Sequence, residues 1–424
     1  MTASRGGQHS VSEYELRPAE LCSSERGPTA VDLFSGAGGL TLGLLNAGFK
    51  VLLASDISSA CAATHRRNLP SIPFQQEDVR AISGRDLLRR LGLSRSELDV
   101  LVGGPPCQGF SIIGQRLLHD PRNALLREFV RIAGEIRPKV VVMENVPGLA
   151  TLGKGILLNE IGSAFQELGY QAACAELLAA QYGVPQMRWR MFFIAWRTDF
   201  GARHAGFPWP THGNSGIGDL VPNRTVTAAE EAGFLTLSDA IGDMPPVASG
   251  GECRTYEGPP RTNYQRAMRL YCGPLELHNH YAPRLSAINL RRIAALKPGE
   301  DWRDLPREML PGGMQRALRK DHTRRFRRMT WDGVPRSIIT RFRDPKSGEY
   351  IHPEQTRTIS IREAARIQSF PDWFAFEGAY TDQYDQVGNA VPPLVAKAVG
   401  TEIRSALADM RSYAPVKSRY RLFA

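Results

Sequence analysis

From about residue 29 to residue 196, short apolar runs alternate with longer stretches of helical period. Residues 30–34, 50–55, 98–102, 140–143 and 191–196 read as strands, 98–102 and 140–143 as β-branched runs. Between them, residues 40–47, 122–136 and 156–168 carry apolar positions at helical spacing, and Gly48 and Gly169 follow as C-terminal stops. Strands alternating with helices predict an α/β fold with a mostly parallel sheet covered on both faces. After residue 197 the texture changes. Up to about residue 350 the chain is rich in Gly, Pro, Arg and polar residues, with few long periodic elements and no internal repeat. Order returns at Ser360-Ile361-Arg362-Glu363, a capping box that opens a helix running to about Gln368. Residues 394–410 form a last amphipathic helix.

A chain of 424 residues exceeds one ordinary core and predicts two lobes. No apolar run is long enough to span a bilayer. Residues 1–26 are polar and lack the apolar segment of an export signal, so they read as a flexible tail on a cytoplasmic protein. The net charge of +10 and pI near 9.5 fit a polyanionic partner. Arginine far outnumbers lysine, however, and compositional bias alone raises net charge in this way. The six cysteines make no CxxC pair or zinc-finger spacing, so no metal site is expected. They read as reduced thiols, mostly small buried apolar residues.

Two loops carry chemistry. Asp32-Leu33-Phe34-Ser35-Gly36-Ala37-Gly38-Gly39-Leu40 leaves a strand and opens a helix. Its glycines admit close approach of a ligand at the C-terminal edge of the sheet. Asp56 ends the next strand twenty residues after Gly36, where a carboxylate can accept from a ribose diol. Asp78 stands where it can accept from an adenine amino group. A P-loop would need Gly-Lys-Ser/Thr, which is missing, and a nicotinamide site would want a third glycine where Thr41 stands. A merely tight turn remains an alternative. A nucleoside cofactor without pyrophosphate fits better.

The second loop, Gly103-Gly104-Pro105-Pro106-Cys107-Gln108, turns sharply and is then stiffened by proline, presenting a thiol at the same sheet edge. A structural cysteine in a turn is the competing reading. Glu144 follows the apolar strand Val140-Val141-Val142-Met143, a costly place for a carboxylate without a role or partner. Gln186, Arg188 and Arg190 alternate at the entrance to another strand, which would place all three on one face.

Together these segments resemble the cytosine-C5 DNA methyltransferase family, of the bacterial restriction–modification type. The resemblance rests on Asp32 to Gly39, Pro105-Pro106-Cys107-Gln108, Glu144-Asn145-Val146 and Gln186-Met187-Arg188-Trp189-Arg190. It continues through Arg362-Glu363-Ala364-Ala365-Arg366-Ile367-Gln368-Ser369-Phe370-Pro371 and Gln386-Val387-Gly388-Asn389-Ala390-Val391-Pro392-Pro393, in unpermuted order. It implies a Rossmann-like S-adenosyl-L-methionine-dependent methyltransferase fold with a loop-rich target-recognition domain. The implied cofactor site comprises Phe34, Ser35, Gly36, Gly38, Gly39, Asp56, Ile57, Asp78, Val79, Asn389 and Val391. Cys107 would attack C6 of a flipped cytosine, and Glu144 would hold N3 and the exocyclic amine. Arg188 and Arg190 would bind around the base and its phosphate and steady the cysteine loop.

On this reading residues 27–197 and 384–412 form the catalytic domain, 198–383 the target-recognition domain and 413–424 a basic tail. The partner is double-stranded DNA, contacted by a monomer, with a cognate restriction endonuclease acting separately. Arg324-Arg325-Phe326-Arg327-Arg328, Arg336, Arg341 and Arg343 supply basic contacts. Arg327 or Arg343 could read guanine, although a solvated or phosphate-binding role is the favoured reading of any single arginine, and a polar loop from Ser111 to Asn123 would close on the DNA. Three rivals remain: a same-fold tRNA enzyme, a DNA-binding protein without catalysis, and a nicotinamide oxidoreductase.

Overall fold

The computed structural model describes residues 9–22, 27–106, 123–151, 155–200, 206–213, 233–273, 276–315, 324–408 and 421–423. The chain divides into two compact units. One comprises Leu16–Tyr182, Trp189–Gly233 and Val391–Ala424, and the other Met1–Glu15, Gly183–Arg188 and Phe234–Ala390.

The first unit is built on an eight-stranded sheet. Its strands are β1 (Thr29–Leu33), β2 (Lys50–Asp56), β3 (Phe74–Gln76), β4 (Val100–Gly103), β5 (Val140–Asn145), β6 (Tyr170–Leu178), β7 (Trp189–Arg197) and β8 (Arg421–Phe423). Their spatial order is β3-β2-β1-β4-β5-β7-β6-β8. The first five are parallel, while β7 pairs antiparallel with both β5 and β6. The order reverses between β1 and β4, and that switch point is where open α/β sheets bind ligands. The expected α/β sheet is therefore present.

Alternation along the strands sends Val31, Leu33, Leu101, Val141 and Met143 into one core with Phe129, Ile132, Ile161 and Phe165 from helices Ala124–Ile136 and Ile156–Glu167. The opposite side is closed by helix Gly39–Asn46 against helix Pro393–Ala408. The helices meet at glycine. A Cβ on Gly43 would lie 2.7 Å from the Lys397 amide, and one on Gly400 would lie 2.8 Å from the Ala47 methyl. No helix of the described residues is long and apolar enough to cross a membrane.

The second unit has short helices and many loops. A buried polar lattice holds it: Arg366 donates to Asp372 at 2.7 Å and Asp243 at 2.9 Å, and Arg357 pairs with Glu363 at 2.6 Å. The capping box forms as expected, with the Glu363 amide donating to Ser360 Oγ and the Ser360 amide to Glu363 Oε2.

Three boundaries differ from the sequence reading. Residues 384–390 lie in the second unit, and the chain returns to the sheet only at Val391. Gly183–Arg188 also belongs to the second unit, and 198–233 to the first. The segment 9–22 is not a free tail. Its helix Val11–Tyr14 buries Tyr14, whose ring meets Tyr264 edge-on at 5.3 Å, and Arg17 donates its amide to Asn46. Aromatic burial inside a polar stretch fixes it.

Candidate active site

The glycine-rich turn follows β1 directly. Phe34 takes a left-handed backbone conformation with φ 59°, rare for a bulky side chain, while its ring packs toward Phe129. The Ser35 amide and hydroxyl both donate to the Ser55 carbonyl, tying the turn to β2. Gly36 is also left-handed, and a Cβ there would meet nothing within 4 Å, so its backbone faces open space. Gly38, at φ 99°, caps the helix that Gly39 begins.

Asp56 stands at the end of β2. One carboxylate oxygen accepts the Gly36 amide and the other the Ser58 amide, each at 2.9 Å. A carboxylate has about four acceptor positions, so this one is aimed and still able to accept. Ile57 beside it is 65% exposed, an apolar side chain held in water just past the C-terminal end of β2. Asp78 caps the short turn Val79–Ala81, and hydrogen bonds from Arg80 hold its carboxyl down at about 2. Val79 is buried in the core beneath, supporting this edge through packing.

The sequence marks Asp32 only as the first residue of the glycine-rich motif, with no role of its own, although a lone acid in an apolar strand is a visible signal. It is fully buried, accepts from Thr41 Oγ1 at 2.6 Å, and its Oδ1 has no hydrogen-bond partner among the described residues. Burial pushes its carboxyl up to about 7.

Cys107, with the polar loop after it as far as residue 122, lies outside the described residues. The chain leading to it is described through Pro106. Gly103 ends β4 in a close fit, where a Cβ would come within 2.6 Å of the Leu33 carbonyl. The Pro105 carbonyl accepts from Asn145 Nδ2 at 2.8 Å. A Cβ on Gly104 would sit 3.3 Å from Glu144 Oε2. The end of β5 thus seats the chain that carries the thiol. Glu144 Oε1 receives Arg190 Nε at 2.9 Å, and both side chains are largely buried. Burial draws the Arg190 guanidinium below its ordinary pKa, against the pull of Glu144. Asn145 was legible only as part of a motif; its hold on Pro105 comes from the fold.

Gln186, Arg188 and Arg190 do not share a strand face. β7 begins at Trp189, and Gln186 and Arg188 belong to the second unit. There Arg188 is fully buried and donates to the carbonyls of Ile338 at 2.6 Å and of Gly388 and Ala390 at 3.0 Å each. Gln186 donates to Gln368 and accepts the Ile338 amide. Buried main-chain carbonyls need donors, and that demand overrides strand alternation here. Asn389 ends helix Tyr380–Asn389 with its side chain exposed, and half-buried Val391 opens the return to the sheet unit.

The profile of the family described as C-5 cytosine-specific DNA methylase matches residues 29–405. The chain belongs to that family. Among relatives, the Type II methyltransferase M.AgeI of Thalassovita gelatinovora is 32% identical, with 89% of this chain and 99% of that protein aligned. Type II methyltransferase M1.HphI of Haemophilus parahaemolyticus is 35% identical over 88% of this chain and 86% of its own. A solved structure described as a DNA modification methyltransferase encoded within an E. coli prophage superposes with TM-score 0.67 at 24% identity, covering 90% of this chain and 99% of that one. As a member of the family, this protein is a DNA (cytosine-5)-methyltransferase, and its substrate is DNA.

Proposed function

We propose that this methyltransferase modifies the C5 position of a cytosine flipped out of a specific duplex sequence, through a covalent bond between Cys107 and C6, using S-adenosyl-L-methionine. The observation that carries this reading is the seating of the Gly103–Pro106 chain on Glu144 and Asn145. It brings the approach to the thiol and a buried, oriented carboxylate to one strand end.

S-adenosyl-L-methionine would supply an electrophilic methyl on sulfonium sulfur. The turn fits a nucleoside of this kind: Gly36 opens the backbone, Asp56 offers an aimed acceptor for the ribose, and exposed Ile57 offers an apolar face for the adenine. Phe34, Ser35, Gly38, Gly39, Asp78 and Val79 shape that edge. The family resemblance adds Asn389 and Val391 to the cofactor residues.

C5 of cytosine is a weak nucleophile. The Cys107 thiolate adds to C6, and Glu144 holds the exocyclic amine and favours protonation at N3, so that C5 gains enamine character. After methylation of C5, loss of the C5 proton to a base re-forms the C5–C6 double bond and expels the thiolate. Arg190 orients Glu144 through their ion pair. Arg188 acts as a positioning residue, through the carbonyls it gathers. Base flipping is required because C6 is closed to a thiol within the stack.

The Phe234–Ala390 unit would recognise the target, with the protein acting as a cytoplasmic monomer and a cognate restriction endonuclease acting on its own. Incubation with labelled S-adenosyl-L-methionine and DNA of varied sequence should put label into DNA at cytosine C5. Absence of transfer to any sequence contradicts the proposal.

A further inference from the structure

The second unit carries a basic cluster, and most of its arginines are engaged within the protein. Arg328 donates to the carbonyls of Ile293, His352 and Pro353 and is buried. Arg324 pairs with Glu349 at 3.1 Å, and Arg327 lies 3.4 Å from the same carboxylate and 3.8 Å from Asp301. Arg343 lies over the Tyr384 ring at 5.8 Å. These contacts turn the densest positive run of the sequence largely into scaffolding.

Arg341 differs. Its side chain is 72% exposed, yet its mount is rigid. The preceding backbone is clamped by Arg188 on the Ile338 carbonyl, by Gln186 on the Ile338 amide and by Tyr350 on the Ser337 carbonyl. Gly388 presses on the same segment, and a Cβ there would come within 2.6 Å of the Ile339 carbonyl carbon. On the other side Phe342 is fully buried against Tyr384, ring centroids 4.7 Å apart. The Asp344 amide donates to the Arg341 carbonyl at 2.9 Å and closes a tight turn. The Asp344 carboxylate lies 3.5 Å from Arg341 Nη2, oriented by the Lys346 amide.

We propose that Arg341 is a specificity-determining residue that reads a guanine of the DNA target, with Asp344 holding its guanidinium in plane. This rests on the reading of the Phe234–Ala390 unit as the target-recognition part. Two features favour a base over a phosphate. A neighbouring carboxylate repels a phosphate, whereas the guanine O6/N7 edge is an uncharged pair of acceptors that matches the guanidinium fork. A fixed backbone also suits base reading, which needs register, more than phosphate contact, which tolerates a mobile charge. Ile339, two residues earlier, is an exposed apolar side chain on the same segment.

The test compares the full-length protein with Arg341→Ala and Arg341→Lys on a library of randomised duplexes, read by bisulfite sequencing at several salt concentrations. Arg341→Ala should relax preference at one guanine position by roughly tenfold or more, with unchanged preference elsewhere. Arg341→Lys keeps the charge and should lose most of the same discrimination. Uniform weakening across all sequences with a shallower salt dependence means a phosphate contact and overturns the proposal. So does an unchanged target. Thermal shift with S-adenosyl-L-methionine confirms that each variant is folded. If the unsubstituted protein methylates no DNA, the proposed function fails instead, and that outcome is separate.

Discussion

At the residue scale the weight falls on buried charge. Glu144 and Arg190 form an ion pair at the strand end with both side chains largely buried, so removing one takes a buried counter-charge away from the other. Arg190→Ala should cost about 3 kcal/mol of stability, read as a lower urea midpoint. Glu144→Gln keeps the shape and removes the anion. It should lower kcat about 10²-fold or more while DNA affinity changes little. An unchanged kcat contradicts a role for Glu144 at the base. Asp32 supplies a pH effect of unusual sign. Its folded-state carboxyl, pushed up to about 7 by burial, lies above the unfolded value near 3.9. The folded protein therefore binds the proton more tightly, and this contribution is lost as pH rises between those two values. Asp32→Asn should flatten that part of the stability profile and stabilise the protein relative to the parent at pH 8. Chemical denaturation across pH checks it.

At the scale of elements, strand ends and glycines set the site. Helices Gly39–Asn46 and Pro393–Ala408 touch at Gly43, where an added methyl meets backbone. Gly43→Ala should cost about 1–3 kcal/mol, seen as a lowered Tm. Much of this level was legible. Apolar runs ending in Asp56 and Glu144 marked the carboxylates at their strand ends, and the capping box at Ser360 marked its helix. β6 was not foreseen, because Tyr-Gln-Ala-Ala-Cys-Ala-Glu-Leu-Leu is alanine-rich and has weak strand preference; pairing with β7 makes it a strand. The placement of Arg188 was hidden for a different reason. Its partners lie 150 to 202 residues further on, and only the fold brings those carbonyls to it. Polar alternation before a strand looks the same whether or not the strand has begun.

At the scale of the whole molecule, a basic chain acts on a polyanion. The net charge of +10 predicts DNA affinity that falls steeply between about 50 and 200 mM salt, measured by fluorescence anisotropy. Affinity independent of salt contradicts an electrostatic share in binding. The central claim is narrower than DNA binding or methyl transfer: Cys107 bonds to the cytosine during the reaction. The most direct measurement uses duplex target DNA with 5-fluorocytosine at the methylated position, incubated with S-adenosyl-L-methionine and resolved on a denaturing gel. Fluorine cannot leave C5 as the proton does, so the adduct cannot collapse. A protein–DNA band resistant to denaturation, with mass spectrometry placing the bond at Cys107 and no band from Cys107→Ala, is the predicted result. Full turnover by Cys107→Ala, or an adduct at another residue, contradicts it.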